Sequence, residues 1–457
     1  MKYILKILAL SFLAFISCKN ELVDYALISG HITNKTEDFK ILSLDRKVSQ
    51  TLNIKEDGTF LDTLRLNKGT YVLYDGTSRA SIYIENGSHI IINADASNFT
   101  KSLAFSGQGY DESEYLLEKG KIETDLIGEK KTFYLLDELA FKTKAKEIET
   151  TLINVLDAFV DIPEDFKTAE KKDLNYSYLS KLNSYEPSHA YYAEKTEFKS
   201  SKEFLADLNT FVFDNREDYL LSPEYKKMVN SHYMNKVGEM IQKDSISADM
   251  AILEVSKRIP NEIIRNNFLF DNSKIFITIS NDVEKFYNTF LEISTNKEHI
   301  EELAKTYKML SLVANGQHSP KFVNYENHAG GSTSLDDLKG KYVYIDVWAT
   351  WCGPCKYEIP FLKKIEKQFH DKNIVFVSLS VDKKKDYEKW KKMVIDKELT
   401  GIQLLADKDF ESDFIKDYMV KGIPKFILLD PDGKIVRSSA PRPSSKDLID
   451  LFNELNI

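Results

Sequence analysis

Between residues 26 and 93, apolar and polar positions alternate in short runs: Ala26–Thr33, Phe39–Leu44, Thr59–Leu66, Thr70–Tyr74, Ala80–Ile84 and His89–Asn93. These runs are rich in β-branched and aromatic side chains. Asp57-Gly58, Lys68-Gly69, Asp75-Gly76 and Asn86-Gly87 lie between them, and the glycines permit the positive φ that tight turns need. Runs spaced roughly 8–12 residues apart predict an antiparallel β domain, a small sandwich or barrel. From about residue 110 the period changes. Glycine becomes scarce and apolar residues recur three and four apart, as in Leu135, Leu136, Leu139 and Phe141, or Leu303, Tyr307 and Leu310. This predicts an α-helical region, broken at Pro163, Pro187, Pro223 and Pro260. From about 313 the texture changes again. Tyr342–Val347 and Ile374–Val381 read as buried strands, and Phe426–Leu429 with Ile435–Val436 as a hairpin across Asp430-Pro431-Asp432-Gly433. Helical patterns cover Cys355–Phe369, Tyr387–Lys397 and Lys446–Leu455, so this part predicts an α/β sheet with helices on its faces.

The chain is thus expected to be multidomain. An N-terminal segment spans 1–17, a sandwich-like antiparallel β domain 18–108, a helical domain 109–312 and an α/β domain 313–457. At 457 residues it is too long for one ordinary core. The 24 tyrosines and 27 phenylalanines, many at helical spacing, read as core rather than as a ligand groove. The net charge of −9 is spread along the chain, with no basic face for nucleic acid.

The first residues form a targeting segment. Lys2 and Lys6 precede the apolar stretch Ile7 to Ile16, then Ser17 and Cys18. The stretch is short for a bilayer span. This arrangement resembles a bacterial lipoprotein lipobox, which implies cleavage before Cys18 and a lipid anchor on its thiol. Phe15 stands where Leu is usual, and a plain signal peptide or an uncleaved anchor are the alternatives. No later segment approaches 18 consecutive apolar residues.

Beyond Cys18 the chain carries only two cysteines, Cys352 and Cys355, inside Trp351-Cys352-Gly353-Pro354-Cys355. Cys352 follows a predicted strand and opens a predicted helix. A thiolate there gains from the positive helix end and from free N–H groups, which lower its pKa from roughly 8.5. Gly353 permits the turn, and Pro354 fits a first helical turn that needs no N–H donor. Other chemistries fit less well. Zinc requires further ligands, and the eight histidines are scattered, so no metal is expected. Haem attachment requires His where Lys356 stands. A peroxidatic site wants Thr or Ser at Ala349. A structural disulfide closing so short a loop stabilises little. Redox exchange is the favoured reading, with the cysteine pair itself as the redox group and no other cofactor.

Tyr344-Ile345-Asp346-Val347-Trp348-Ala349-Thr350-Trp351-Cys352-Gly353-Pro354-Cys355-Lys356 resembles the thioredoxin active-site segment. Ser334 to Lys341, Cys355-Lys356-x-Glu358-x-Pro360 and Val420-Lys421-Gly422-Ile423-Pro424 narrow the resemblance to the TlpA/ResA branch of membrane-tethered thiol-disulfide oxidoreductases. The likeness covers about 313–457 and implies a thioredoxin-like fold there. Cys352 is then the attacking thiolate and Cys355 the more buried resolving thiol. Asp346 is the buried acid that relays a proton, or else only a hydrogen-bond partner in its strand. The lysine usual near that acid falls on Ser378. Pro424 matches the cis-proline facing the cysteines, and the backbone of Ile423 pairs with substrate. Trp351, Gly353 and Pro354 complete the substrate edge, while Trp348 packs. Lys425 stands where Thr is usual, and Lys383–Leu405 resembles the branch's insertion. Gly30, Asp57-Gly58-Thr59-Phe60 and Ser106-Gly107-Gln108-Gly109 resemble the β domain fused to such lipoproteins in Bacteroidota.

The resemblance implies an extracytoplasmic, lipid-anchored thiol-disulfide oxidoreductase on the periplasmic side of a bacterial cell envelope. Its partners would be protein thiols and disulfides and a membrane electron donor of the DsbD/CcdA type, with net reduction expected. The rival readings are an oxidase or isomerase, or a partner-binding lipoprotein whose redox domain services an assembly.

Overall fold

The computed structural model describes residues 23–457 apart from 36, 45, 46 and 281. The targeting segment and Cys18 lie outside the described residues. The N-terminal alternation forms β1 (Ala26–Thr33), β2 (Lys40–Ser43), β3 (Ser49–Thr51), β4 (Thr59–Leu64), β5 (Gly69–Tyr74), β6 (Arg79–Ile84), β7 (His89–Asp95) and β8 (Ala104–Gln108). They make two four-stranded sheets, ordered β4-β1-β7-β8 and β3-β2-β5-β6. Alternate residues face inward. Ile28, Ile90, Ile92 and Phe105 from one sheet share a core with Ile41, Leu73 and Ile82 from the other. The pairings are antiparallel except that of β1 with β7, which is parallel from Leu27↔His89 to Thr33↔Asp95. β3 and β8 are too short or too rich in glycine and serine for the alternation to reveal.

Gly30 sits in β1 opposite Ile92 at φ +149°, and a Cβ added there would lie 1.8 Å from the Ile92 carbonyl oxygen. Two strands approach where only glycine fits.

The described residues fall into two compact units, one of 23–211 with 222–225, the other of 212–221 with 226–457. The region 109–312, expected as one helical domain, is therefore shared between them. In the first unit, Tyr115 of helix Asp111–Ile127 and Phe166 of helix Glu164–Tyr192 cluster with Tyr83 of β6, Leu156 and Ile162. The N–H of Tyr83 also donates to Ser113 Oγ at 2.9 Å. Periodicity reports which face of a helix is apolar, but not which sheet it covers. Pro187, expected to break a helix, lies inside Glu164–Tyr192. Its neighbours hold the backbone in place: Tyr185 Oη donates to the Leu136 carbonyl at 2.7 Å, and His189 Nδ1 lies 2.8 Å from that of Tyr134. Pro163, Pro223 and Pro260 do fall at or beside helix ends.

The second unit holds the helices Ala248–Lys257, Glu262–Phe276, Val283–Ile293 and Lys297–Ser311. Seven strands follow: β9 (Tyr325–Asn327), β10 (Ser332–Thr333), β11 (Tyr342–Trp348), β12 (Ile374–Ser380), β13 (Ile402–Leu405), β14 (Lys425–Leu429) and β15 (Ile435–Arg437). Their order is β10-β9-β13-β12-β11-β14-β15, with β11 parallel to β12 and antiparallel to β14. β11 is the centre and is buried along nearly its whole length. On one face Tyr344, Phe426 and Leu428 pack against Leu362 and Ile365 of helix Gly353–Gln368, its C-cap Phe369, and Leu448 and Phe452 of helix Lys446–Glu454. This core delivers the end of β11 to the start of helix Gly353–Gln368. Among the described residues no helix is long and apolar enough to cross a membrane.

Replacing Gly30 with Ala is expected to destabilise the protein by more than about 3 kcal/mol, since both backbone strain and a backbone clash result. Denaturant unfolding of the full chain measures this. An unchanged midpoint would refute the close approach of β1 and β7.

Candidate active site

β11 ends at Trp348, and Ala349, Thr350 and Trp351 carry the chain to Cys352. Cys352 is the N-cap of helix Gly353–Gln368, and the N–H of Cys355 donates to its Sγ at 3.1 Å. One of the helix's free N–H groups therefore points at the sulfur. Pro354 occupies the first turn. The two cysteines are joined as a disulfide with Cα atoms 5.3 Å apart. Across from them, Ile423–Pro424 is cis, and the Ile423 carbonyl oxygen lies 3.7 Å from Cys352 Sγ. Cys355, expected to be the more buried, is 3% exposed and Cys352 4%, so the two are buried alike in the disulfide. The strand entered at Pro424 covers Cys352 from the side opposite the helix. Gly353 and Pro354 are exposed, and Ile423 and Pro424 are half-buried. Trp351 is 56% exposed, whereas Trp348 is buried.

The approach to Cys352 is anchored by a residue the sequence reading missed. Asp382, buried just past β12, accepts from Thr350 N–H at 2.9 Å, Thr350 Oγ at 2.7 Å and Ser380 Oγ at 2.8 Å. The one signal for it was an acid directly after an apolar strand.

Asp346 lies in β11 opposite Ser378 of β12, and among the described residues it accepts no hydrogen bond. Burial pushes its carboxyl up to about 8, with the nearby Glu366 and Glu358 carboxylates adding to the shift. Burial also raises Glu366. Where a lysine would favour the charged form, this chain has Ser378 and two further acids. Asp346, Glu366, Ser378 and Gln403 border a void of only about 10 Å³, so bulk water has no room to solvate the carboxylate. Glu358 is tied down elsewhere, accepting from Ser444 N–H and Oγ, both at 2.9 Å.

Lys425 follows Pro424 and is buried at the start of β14, opposite Val347. Its Nζ donates to the carbonyl of Thr278 at 2.9 Å, in the short turn Ile277–Ile279 after helix Glu262–Phe276. Burial pushes this amine down to about 8. A lysine opening a strand otherwise made of Phe426, Ile427, Leu428 and Leu429 was the visible anomaly. Its partner, some 150 residues upstream, was not visible.

These features define a thioredoxin-type site: a helix-capping CxxC cysteine, a buried acid in the strand that leads to it and a cis-proline opposite. Residues 315–438 match the AhpC/TSA family. The thioredoxin-like protein YneN of Bacillus subtilis is 32% identical over 134 residues, 29% of this chain and 76% of that protein. The chain belongs to the thioredoxin-like thiol-disulfide oxidoreductases. Within them it is similar to thiol-disulfide oxidoreductase ResA of Bacillus subtilis, 30% identical over 126 residues, 27% of this chain and 66% of that protein's length. A solution structure of a Bacteroides vulgatus protein assigned to the thiol-disulfide oxidoreductases is 48% identical, covering 32% of this chain and 93% of that one, with a TM-score of 0.28.

Two buried groups give stability predictions of opposite pH sign. Asp346 binds its proton more tightly folded (about 8) than unfolded (about 3.9), so its contribution is fully present below about pH 4 and is lost as pH rises through about 8. Asp346→Asn should therefore be more stable than the parent by up to about 5 kcal/mol at pH 8, with no gain below pH 4. Lys425 is depressed, from about 10.4 unfolded to about 8, so its contribution is present above about pH 10.5 and is lost as pH falls through 8. Lys425→Met should gain about 2 kcal/mol at pH 7, after the lost bond to Thr278 is subtracted, and lose about 1 kcal/mol at pH 10.5, where only the lost bond counts. Urea unfolding across pH measures both, and differences that do not vary with pH would refute the burial of these charges.

Proposed function

We propose that the chain exchanges disulfides with protein substrates outside the cytoplasm, as a net reductant tethered to a bacterial membrane through Cys18. The observation that carries this is the placement of Cys352 Sγ between the N–H of Cys355 and the carbonyl of Ile423 beside the cis-Pro424 peptide. The first feature supports a stabilised thiolate. The second supports an extended substrate segment running along Ile423. No bound cofactor is needed, because the Cys352–Cys355 pair holds the two electrons.

In the reduced enzyme the Cys352 thiolate attacks one sulfur of a substrate disulfide, and the other leaves as a thiolate. A mixed disulfide now joins Cys352 to the substrate. Cys355 passes its proton to Asp346 and attacks Cys352 Sγ, releasing the second substrate thiolate. The substrate has gained two electrons and the enzyme holds Cys352–Cys355. Because Asp346 titrates at about 8, the base is a minority form at pH 7, and the resolving step quickens as pH rises through that value. Return to the dithiol needs a membrane donor of the DsbD/CcdA type. Trp351, Gly353 and Pro354 form the exposed rim that a protein substrate meets. The disulfide potential fixes the direction. A value near the thioredoxin range of about −270 mV fits a reductant, and one near −120 mV would instead make it an oxidase.

Trapping tests the exchange. Cys355→Ala, expressed with its native envelope, should accumulate substrate proteins bound to Cys352 and released by dithiothreitol. The Cys352→Ala/Cys355→Ala variant should hold none. A complete absence of adducts on Cys352 would sink the proposal.

A further inference from the structure

Beside Trp351 opens a cavity of about 720 Å³, within the size range of ligand clefts. Its apolar wall includes the exposed Trp351 ring and Phe410, whose ring centroids lie 6.3 Å apart. Lys383, Lys385, Lys392 and Lys397 rim it, all exposed and, among the described residues, without an ion pair. A fifth lysine, Lys389, is held by Asp386 at 2.6 Å, and Asp396 is the remaining acid in the lining. Five lysines thus face two aspartates, on a chain whose net charge is −9. The excess is local. It comes from the stretch 383–397, where seven lysines stand against three acids.

We infer that this cavity is a specificity site for an acidic segment of the client protein, lying next to the disulfide being exchanged. The inference rests on the reading of Cys352 as the exchanging thiol. Trp351 belongs both to the cavity and to the rim of Cys352, so whatever fills the cavity is continuous with what sits on the sulfur. Client carboxylates meet unpaired ammonium groups, while the client's backbone and aliphatic atoms cover the Trp351 and Phe410 rings. Lysine ammoniums are mobile point charges without the fixed fork of arginine, so the site selects charge rather than one sequence. A flat anionic bilayer fits less well, because these lysines surround a concavity with an aromatic wall.

The test uses the full chain and two disulfide peptides that differ only in the residues flanking the cysteine, Glu-Asp-Glu in one and Gln-Asn-Gln in the other. At low salt kcat/KM should favour the acidic peptide about tenfold, the scale of electrostatic steering. The preference should fall within about twofold in 0.5 M NaCl, where screening is short-ranged. It should also vanish when Lys383, Lys385, Lys392 and Lys397 are all replaced by Gln, and return when they are replaced by Arg. A cysteine-free acidic peptide, followed by fluorescence anisotropy, should bind the chain about tenfold more weakly after the Gln replacements. That arm still decides the inference should neither disulfide peptide react, a result that strikes only at the exchange chemistry. Equal rates for the two peptides, or a preference that survives the Gln replacements, would overturn the inference. So would lysine-dependent binding to anionic phospholipid vesicles with no peptide preference.

Discussion

The site depends on a change of backbone direction at the end of β11. A central strand buried on both faces has to stop, turn and begin a helix within four residues, and the residue at the turn has to be the reactive one. Two devices hold the turn. Asp382 grips Thr350 by both its N–H and its hydroxyl, and Cys352 caps the helix with its own sulfur. Capping by sulfur links structure to reactivity. The N–H that would otherwise need a serine or aspartate cap points at the sulfur instead, where it is placed to stabilise a thiolate once the disulfide is reduced. The seven-stranded sheet and the helix packed on Tyr344 and Phe426 serve to make this junction rigid.

Among the buried ionisable groups near the junction, Asp382, Asp346 and Lys425 are sorted by their hydrogen bonding. Asp382 accepts three bonds and acts as an anchor. Asp346 accepts none among the described residues, and its nearest charged neighbours are acids, so its proton is held close to the pH at which thiols exchange. Lys425 has one neutral partner, the Thr278 carbonyl. A saturated buried charge is inert, whereas an unsaturated one costs stability and can move a proton. The position opposite Asp346 shows how the chain tunes this. With Ser378 in place of a lysine, burial and the nearby Glu366 and Glu358 all act to hold the proton on the carboxyl.

Much of this was legible in the chain. The apolar runs at Tyr342–Val347 and Ile374–Val381 became β11 and β12 almost residue for residue, because a strand buried on both faces leaves a continuous apolar signature. Cys352 and Cys355 stood out by their spacing, whereas Asp346 and Pro424 were singled out only through the resemblance to the thioredoxin segment. What stayed hidden was set by long-range pairing. The parallel partnership of β1 with β7, the short strands β9 and β10, and the division of the helices between two units all depend on contacts far apart in sequence. Pro187 misled for a related reason, since tertiary bonds from Tyr185 and His189 outweigh the local cost of a proline in a helix. Asp382 and the partner of Lys425 belong to the same class. The residue types were visible, but their roles come from neighbours that only folding supplies.

The two sides of Cys352 offer different kinds of recognition. On one side the backbone of Ile423 and the cis peptide before Lys425 present main-chain groups, which any extended segment can meet. Lys425 ties that strand to the turn at Thr278, so the helical residues preceding the sheet belong to the same structural unit as the substrate edge. On the other side Trp351 and Phe410 lead into a cavity rimmed by five lysines, four of them without an ion pair among the described residues. Thiol exchange discriminates poorly among disulfides, because the reacting atoms are the same in every substrate. Selectivity therefore has to come from what surrounds the sulfur. Main-chain pairing supplies register without preference, so the choice among clients falls to the side where charge is uncompensated.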